Sequence, residues 1–304
     1  VGELRQAVTD WRAAGERIAL VPTMGALHAG HVALVQRAGR EADRIVASIF
    51  VNPSQFAPNE DLARYPRDED GDLAKLAAEG CHLVWAPTPD EMYPEGFATQ
   101  VIPAGAALGL EGEFRPHFFG GVATVCCKLF SSVTPDVAVF GEKDYQQLCV
   151  IRQMVRDLNL PLAIVAEPTV REDDGLALSS RNAYLDAAQR QIAPSLNRVV
   201  SELAAKAGPI ARGETADAAP ARPRPAPLLR DPREAGRPQQ MPELEALCSQ
   251  AQQALIAAGF DKVDYVAVRE ADTLQLVTGR TGKPLRVLAA AWLGGTRLID
   301  NVAA

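Results

Sequence analysis

LVPTMGALHAGHVALVQRAG, residues 20–39, holds three kinds of local structure in succession. The apolar run Ile18–Val21 meets Pro22, and a polar, Gly-bearing turn with His28 and His31 follows. Val32, Val35, Ala38 and Ala42 then recur at helical spacing. Strand, turn and helix are therefore predicted. In that arrangement the first-turn N–H groups of the helix lack intrahelical acceptors and face an anion. Two imidazoles three residues apart would lie side by side on it, and a nucleotide phosphate is the expected anion. Ordinary loop chemistry with a structural His pair is the alternative, so the rest of the chain must arbitrate.

Working outward, strands are predicted at Arg17–Val21, Arg44–Val51, His82–Ala86, Val137–Phe140 and Leu162–Val165. Helical patterns occupy Val32–Ala42, Asp70–Glu79, Val122–Ser132 and Tyr145–Leu158, after an amphipathic opening with Leu4, Val8 and Trp11. Near-continuous apolar strands alternating with amphipathic helices imply an α/β fold, a doubly wound parallel sheet covered on both faces. Ligands collect beyond the carboxyl ends of such strands. The second half changes character after about Pro168. Asp186–Ala205 reads as one helix, and Gly208–Pro242 is rich in Pro, Arg and Ala and is expected to be a flexible insertion. A helix at Glu243–Ala258 leads to strands near Val263–Val268, Arg286–Trp292 and Arg297–Ile299. Two domains follow, 1–168 and 169–304, the second a smaller α+β unit.

Composition narrows the function. A 304-residue chain allows two domains, and a net charge of −7 offers no surplus to a nucleic-acid backbone while permitting a local basic pocket. Five scattered cysteines without a C-x-x-C pair suit reduced thiols in the cytoplasm. No signal peptide or membrane-length apolar run is seen, so neither nucleic acid nor membrane is an expected partner. The sequence begins with Val1, and a short N-terminal piece is expected to precede it.

The remaining polar loops also follow predicted strands. Asn52 and Gln55, in Phe50–Phe56, would turn amides into the histidine cleft, where amides orient a substrate without adding charge; a capped Pro turn is the plain alternative. The acids of Asp61–Asp72 suit either a hydrated Mg2+ or a solvated helix start. Glu111–Gly121, with Arg115 and His117, has the composition of a mobile cover and equally of a surface connection. Lys143 and Asp144 follow a buried strand, as a point charge for phosphoryl oxygens or as a simple ion pair. Ser179, Ser180, Arg181 and Asn182 suit a phosphate grip or a helix cap. Gly279–Pro284 has the wrong glycine spacing for a P-loop.

The ordered segments PTMGALHAGH, FVNPSQF, LARYPRD, EGEFRP, FGEKDYQQL, VREDDGLALSSRN and AWLGGTRLIDN together resemble the pantoate–β-alanine ligase family over nearly the whole chain. The H-x-G-H element also resembles the signature of the wider nucleotidylyl-transferase superfamily. The resemblance implies a Rossmann-like N-terminal domain, a small C-terminal domain and a cytoplasmic homodimer. It also implies that ATP, with Mg2+, and pantoate form pantoyl adenylate and pyrophosphate, and that β-alanine then yields pantothenate and AMP.

By the same resemblance His31 is the catalytic proton donor. His28, Lys143 and Arg181 join it, with Ser179 and Ser180, around the phosphates. Met24, Gly25, Gly141, Asp144, Val170 and Leu178 match ATP-contacting positions. Gln55 and Gln147 match pantoate-binding ones, with Asn52 beside them, and Asp72 matches the Mg2+-side carboxylate. The second domain, carrying Ser179–Arg181, is expected to act as a lid. Two departures stand out: Phe118 replaces a usual His, and Gly71 replaces a second acid before Asp72. A nucleotidylyltransferase that keeps its adenylated product and a catalytically silent nucleotide-binding module are the alternative functions.

Overall fold

The computed structural model describes residues 1–57, 61–214 and 239–304, and falls into two compact units. The larger comprises Val1–Glu172 with Ala177–Ala183. Its chain order is α1 (Gly2–Ala13), β1 (Ile18–Thr23), α2 (Ala29–Glu41), β2 (Arg44–Ile49), α3 (Glu69–Ala78), β3 (Leu83–Trp85), α4 (Pro89–Met92), α5 (Glu111–Phe114), α6 (Phe118–Val133), β4 (Val137–Gly141), α7 (Tyr145–Asp157) and β5 (Ala163–Glu167). All five strands are parallel, in the order β3-β2-β1-β4-β5. One face packs Ala19, Val21, Ala47, Val137 and Val139 against Leu34, Val35 and Ala38 of α2 and Leu76 of α3. Side chains alternate along a strand, so Phe140 faces the other way, where it meets Phe130 of α6 edge-on at 6.3 Å between centroids.

The chain winds outward from β1 to β3, then returns to start again at β4 on β1's other side. That reversal is a topological switch point, the usual seat of a ligand. The ladder shows the opening: β1 pairs with β2 from Ile18↔Arg44 to Thr23↔Ile49, but with β4 only at Ala19↔Val137 and Leu20↔Ala138. Past Leu20 the two strands part, and their exit loops carry Met24–His31 and Gly141–Asp144.

The smaller unit, Asp173–Leu176 with Tyr184–Ala304, contains α8 (Ala187–Ile192), α9 (Ser195–Arg212), α10 (Pro242–Ala258), β6 (Lys262–Glu270), β7 (Leu285–Leu293) and β8 (Thr296–Ala303). Its strands form an antiparallel sheet, β6-β7-β8. Leu196, Val200 and Leu203 of α9 and Leu244 and Leu255 of α10 share a core with Val287, Ala289 and Ala291 of β7. No helix among the described residues is long and apolar enough to cross a membrane.

Three expectations change. The single helix over Asp186–Ala205 is two, separated at Ala193 and Pro194, because proline cannot donate the next helical hydrogen bond. Helix α9 continues through Gly208 and Pro209 to Arg212, since buried Ala207, Gly208 and Ala211 supply packing that outweighs poor helix propensity. The expected insertion therefore begins no earlier than Gly213, and residues 215–238 of it lie outside the described residues. Finally, Ala177–Ala183, with Ser179–Arg181, belong to the larger unit rather than to the second domain.

Candidate active site

A cavity of about 230 Å³ opens where β1 and β4 part, lined entirely by residues of the larger unit. The H-x-G-H sequence builds its floor. His28 is the N-cap of α2, and its Nδ1 accepts the Gly30 amide at 3.1 Å; His31 Nδ1 accepts the His28 amide at 3.3 Å. This is a reciprocal capping box made of imidazoles in place of a hydroxyl and a carboxamide. Residue 30 must be glycine, because a Cβ there would lie 2.9 Å from His28 Cε1. The two rings sit 4.2 Å apart.

With both Nδ1 lone pairs committed, each neutral ring carries its proton on Nε2, a donor. Burial pushes His28 down to about 4, helped by the Lys143 ammonium. Burial, then His28 and Lys143, push His31 down to about 3. Both are uncharged at neutral pH. Neutral rings of this tautomer can donate from Nε2, so the role expected of His31 needs a hydrogen bond and no imidazolium charge.

Lys143 lies in a 3-10 turn, Glu142–Asp144, between β4 and α7, with Nζ 3.5 Å from Asp144 Oδ2. Beyond β5, Arg171 and Ala177 form an antiparallel bridge, and the Leu178 amide donates to Val170 O at 3.0 Å. That small hairpin sets Val170 and Leu178 side by side and delivers Ser179, Ser180 and Arg181 to the lining.

Gln55, Gln147 and Arg115 also line the cavity, with the α6 stripe Val122, Val125, Cys126 and Leu129. The Asn52 amide is committed within the protein: Nδ2 donates to Gln55 Oε1 (3.1 Å) and Gly121 O (3.2 Å), while Oδ1 accepts from Tyr93 (2.7 Å) and Ser54 (2.8 Å) hydroxyls. Asn52, expected to contact substrate, therefore serves Gln55 instead. The Gln147 side chain, by contrast, has no hydrogen-bond partner among the described residues. Burial pushes the Cys126 thiol up to about 12, which removes it as a nucleophile.

Fourteen of the expected site residues thus share one cavity: Met24, His28, His31, Asn52, Gln55, Gly141, Lys143, Asp144, Gln147, Val170, Leu178, Ser179, Ser180 and Arg181. Two do not. Gly25 is buried beneath the loop at φ +79°, and Asp72, 1% exposed, turns away from the lining. Asp72 Oδ2 and Oδ1 accept the Ala26 and Leu27 amides, each at 2.7 Å. A carboxylate so committed is a clamp on the loop and does not fit the expected metal role.

Arg115 was visible in EGEFRP but was not assigned to the site. Its guanidinium donates to Gln55 O (3.2 Å) and lies 3.9 Å over the Phe118 ring, so the phenylalanine at that position supplies a cation–π seat. The α6 stripe was missed because its i, i+3, i+4, i+7 spacing is that of any core-facing helix.

The lining combines imidazole, ammonium, guanidinium and hydroxyl groups with carboxamides and an apolar helix stripe. A lining of that chemistry can take a polyphosphate together with a small acid that has both polar and apolar faces. Comparison with known proteins places the whole chain in a family. Residues 1–303 match the model of the family described as pantoate-beta-alanine ligase. Pantothenate synthetases of Paramagnetospirillum magneticum (52% identical over 302 residues, 99% of this chain and 95% of the relative) and of a Bradyrhizobium species (51% over 301 residues, 99% and 95%) are similar throughout. Among solved structures, pantothenate synthetase from Thermus thermophilus superposes with a TM-score of 0.79 at 43% identity, covering 97% of this chain and 96% of that one. A Francisella tularensis pantoate-beta-alanine ligase complexed with beta-gamma ATP and β-alanine does so with 0.72 at 29%, covering 98% and 95%. With matches that span the whole length and with the H-x-G-H histidines, Lys143 and Gln55 on one cavity, this chain belongs to the pantoate–β-alanine ligase family.

Proposed function

We propose that this cavity joins pantoate to β-alanine at the expense of ATP, by way of pantoyl adenylate. The observation that carries the reading is that His28, His31, Lys143 and Arg181 line the same cavity as Gln55 and Gln147. ATP lies with its nucleoside along Met24, Gly141, Val170 and Leu178 and its phosphates toward His28, His31, Lys143, Ser179, Ser180 and Arg181. Pantoate is held by Gln55 and Gln147.

One carboxylate oxygen of pantoate attacks the α-phosphorus, and the bond to pyrophosphate breaks. Negative charge grows on the equatorial and leaving oxygens. Preplaced N–H donors in a water-poor site stabilise that charge more than the ground state. The amine of β-alanine then attacks the acyl carbon, AMP leaves, and the amine proton is released. Asp144 is the one carboxylate among the described lining residues, which suits Mg2+, an ion that takes one or two carboxylates together with phosphate oxygens. Held by Asp144, it would neutralise charge on the leaving pyrophosphate. The same reading makes the protein a cytoplasmic homodimer, which light scattering of the purified chain tests.

The decisive assay supplies ATP, Mg2+ and pantoate, then β-alanine, and follows AMP and pantothenate. AMP release that depends on β-alanine is expected. AMP-free accumulation of an adenylated product would favour a nucleotidylyltransferase, and absence of turnover a binding module.

A further inference from the structure

The amide of Gln55 has two orientations of equal shape, one turning a donor to the cavity and the other an acceptor. Which one holds is fixed outside the cavity. Gly121 O is a carbonyl and can only accept, so Asn52 must turn Nδ2 toward it (3.2 Å). At its other end Asn52 Oδ1 accepts the Tyr93 hydroxyl at 2.7 Å, the Ser54 hydroxyl at 2.8 Å and, at a longer 3.3 Å, the Ser54 backbone N–H. These constraints agree, and together they leave Nδ2 donating to Gln55 at 3.1 Å, so that Gln55 Oε1 accepts. Gln55 Nε2 is then the group beside Met24 Sδ, 3.0 Å away on the lining.

We infer that Tyr93 is a positioning residue for the acid substrate: by the shortest of the hydrogen bonds on Asn52 Oδ1 it steadies the Gln55 amide with Oε1 turned to Asn52 and Nε2 on the Met24 side, at the lining, favouring a substrate that presents an oxygen acceptor there. Tyr93 lies on no motif assigned to the site and does not line the cavity. Its ring is seated independently of its hydroxyl, 5.2 Å from Phe97 and 6.2 Å from Phe50 between centroids, with Lys128 Nζ 5.9 Å over its face. Burial raises its phenol above the ordinary range, which keeps the hydroxyl protonated and donating. The inference rests on Gln55 binding pantoate.

Tyr93→Phe keeps the ring and deletes the donor. Loss of this half-buried hydrogen bond should raise KM for pantoate by about tenfold, with KM for ATP held within about twofold. Ser54→Ala, which removes the second hydroxyl on Asn52, should shift the pantoate constant in the same direction and by less. An unmoved pantoate KM in Tyr93→Phe, or equal rises for pantoate and ATP, overturns the inference. A wild-type protein without β-alanine-dependent AMP release would instead sink the ligase reading on which it rests.

Discussion

At residue scale, His28 has two jobs that substitution can separate. Its Nδ1 caps α2, and the proposed function asks its Nε2 to donate to phosphate. Asparagine is a good N-cap, so His28→Asn should keep the thermal midpoint near that of the parent while turnover falls. His28→Ala should lose both, the cap alone costing about 1 kcal/mol. His31→Ala should cut kcat/KM at least tenfold, about 1.4 kcal/mol of transition-state stabilisation. The pH dependence has a definite sign. With folded pKa values near 4 and 3, below the ordinary 6.5, the unfolded chain binds protons first as pH falls. Stability contributed by these two neutral rings is therefore full above the unfolded value and is lost between about pH 6.5 and 3. Urea midpoints should drop across that window, and less steeply in a His28→Asn, His31→Gln double variant. For the same reason kcat/KM should show no histidine inflection between about pH 5 and 8, where both rings stay neutral.

At the scale of elements, Asp72 ties the first turn of α3 to the loop between β1 and α2. The tie holds Gly25 and Ala26 at φ +79° and +52°, the second of these uncommon for a residue with a Cβ. Asp72→Asn offers one acceptor where two amides need one each, so a buried donor goes unpaired. A cost of about 1–3 kcal/mol in urea unfolding is expected. Turnover should fall with it, while the Mg2+ concentration giving half-maximal rate stays put. A large rise in that concentration would restore the metal role. This element also shows where sequence stops being informative. The acids of DLARYPRDEDGD were plain to see, yet nothing local distinguishes a carboxylate facing water from one facing two amides 46 and 45 residues earlier in the chain. Asn52 teaches the same lesson, since Gly121 and Tyr93, which consume its amide, are remote in sequence. Strand cores and helix faces needed no such distant knowledge, because their periodicity is local. The break at Pro194 was also locally signalled; the continuation of α9 through Pro209 was not.

For the whole molecule, the winding that places the site could be anticipated from alternating strands and helices, with every informative loop after a strand. What periodicity alone could not provide was the order β3-β2-β1-β4-β5, which puts the H-x-G-H turn next to the Lys143 turn although over a hundred residues separate them. The two-pair seam between β1 and β4 has a mechanical consequence. Three strands on one side and two on the other are stitched by little main-chain bonding at their middle, so a nucleotide spanning both exit loops completes a brace that the backbone leaves out. ATP at a hundredfold over its Kd should add about 2.7 kcal/mol to stability by mass action. Amide exchange should slow most at Val21, Thr23 and Val139–Gly141, on either bank of the gap, so that the substrate itself stiffens the sheet it sits on.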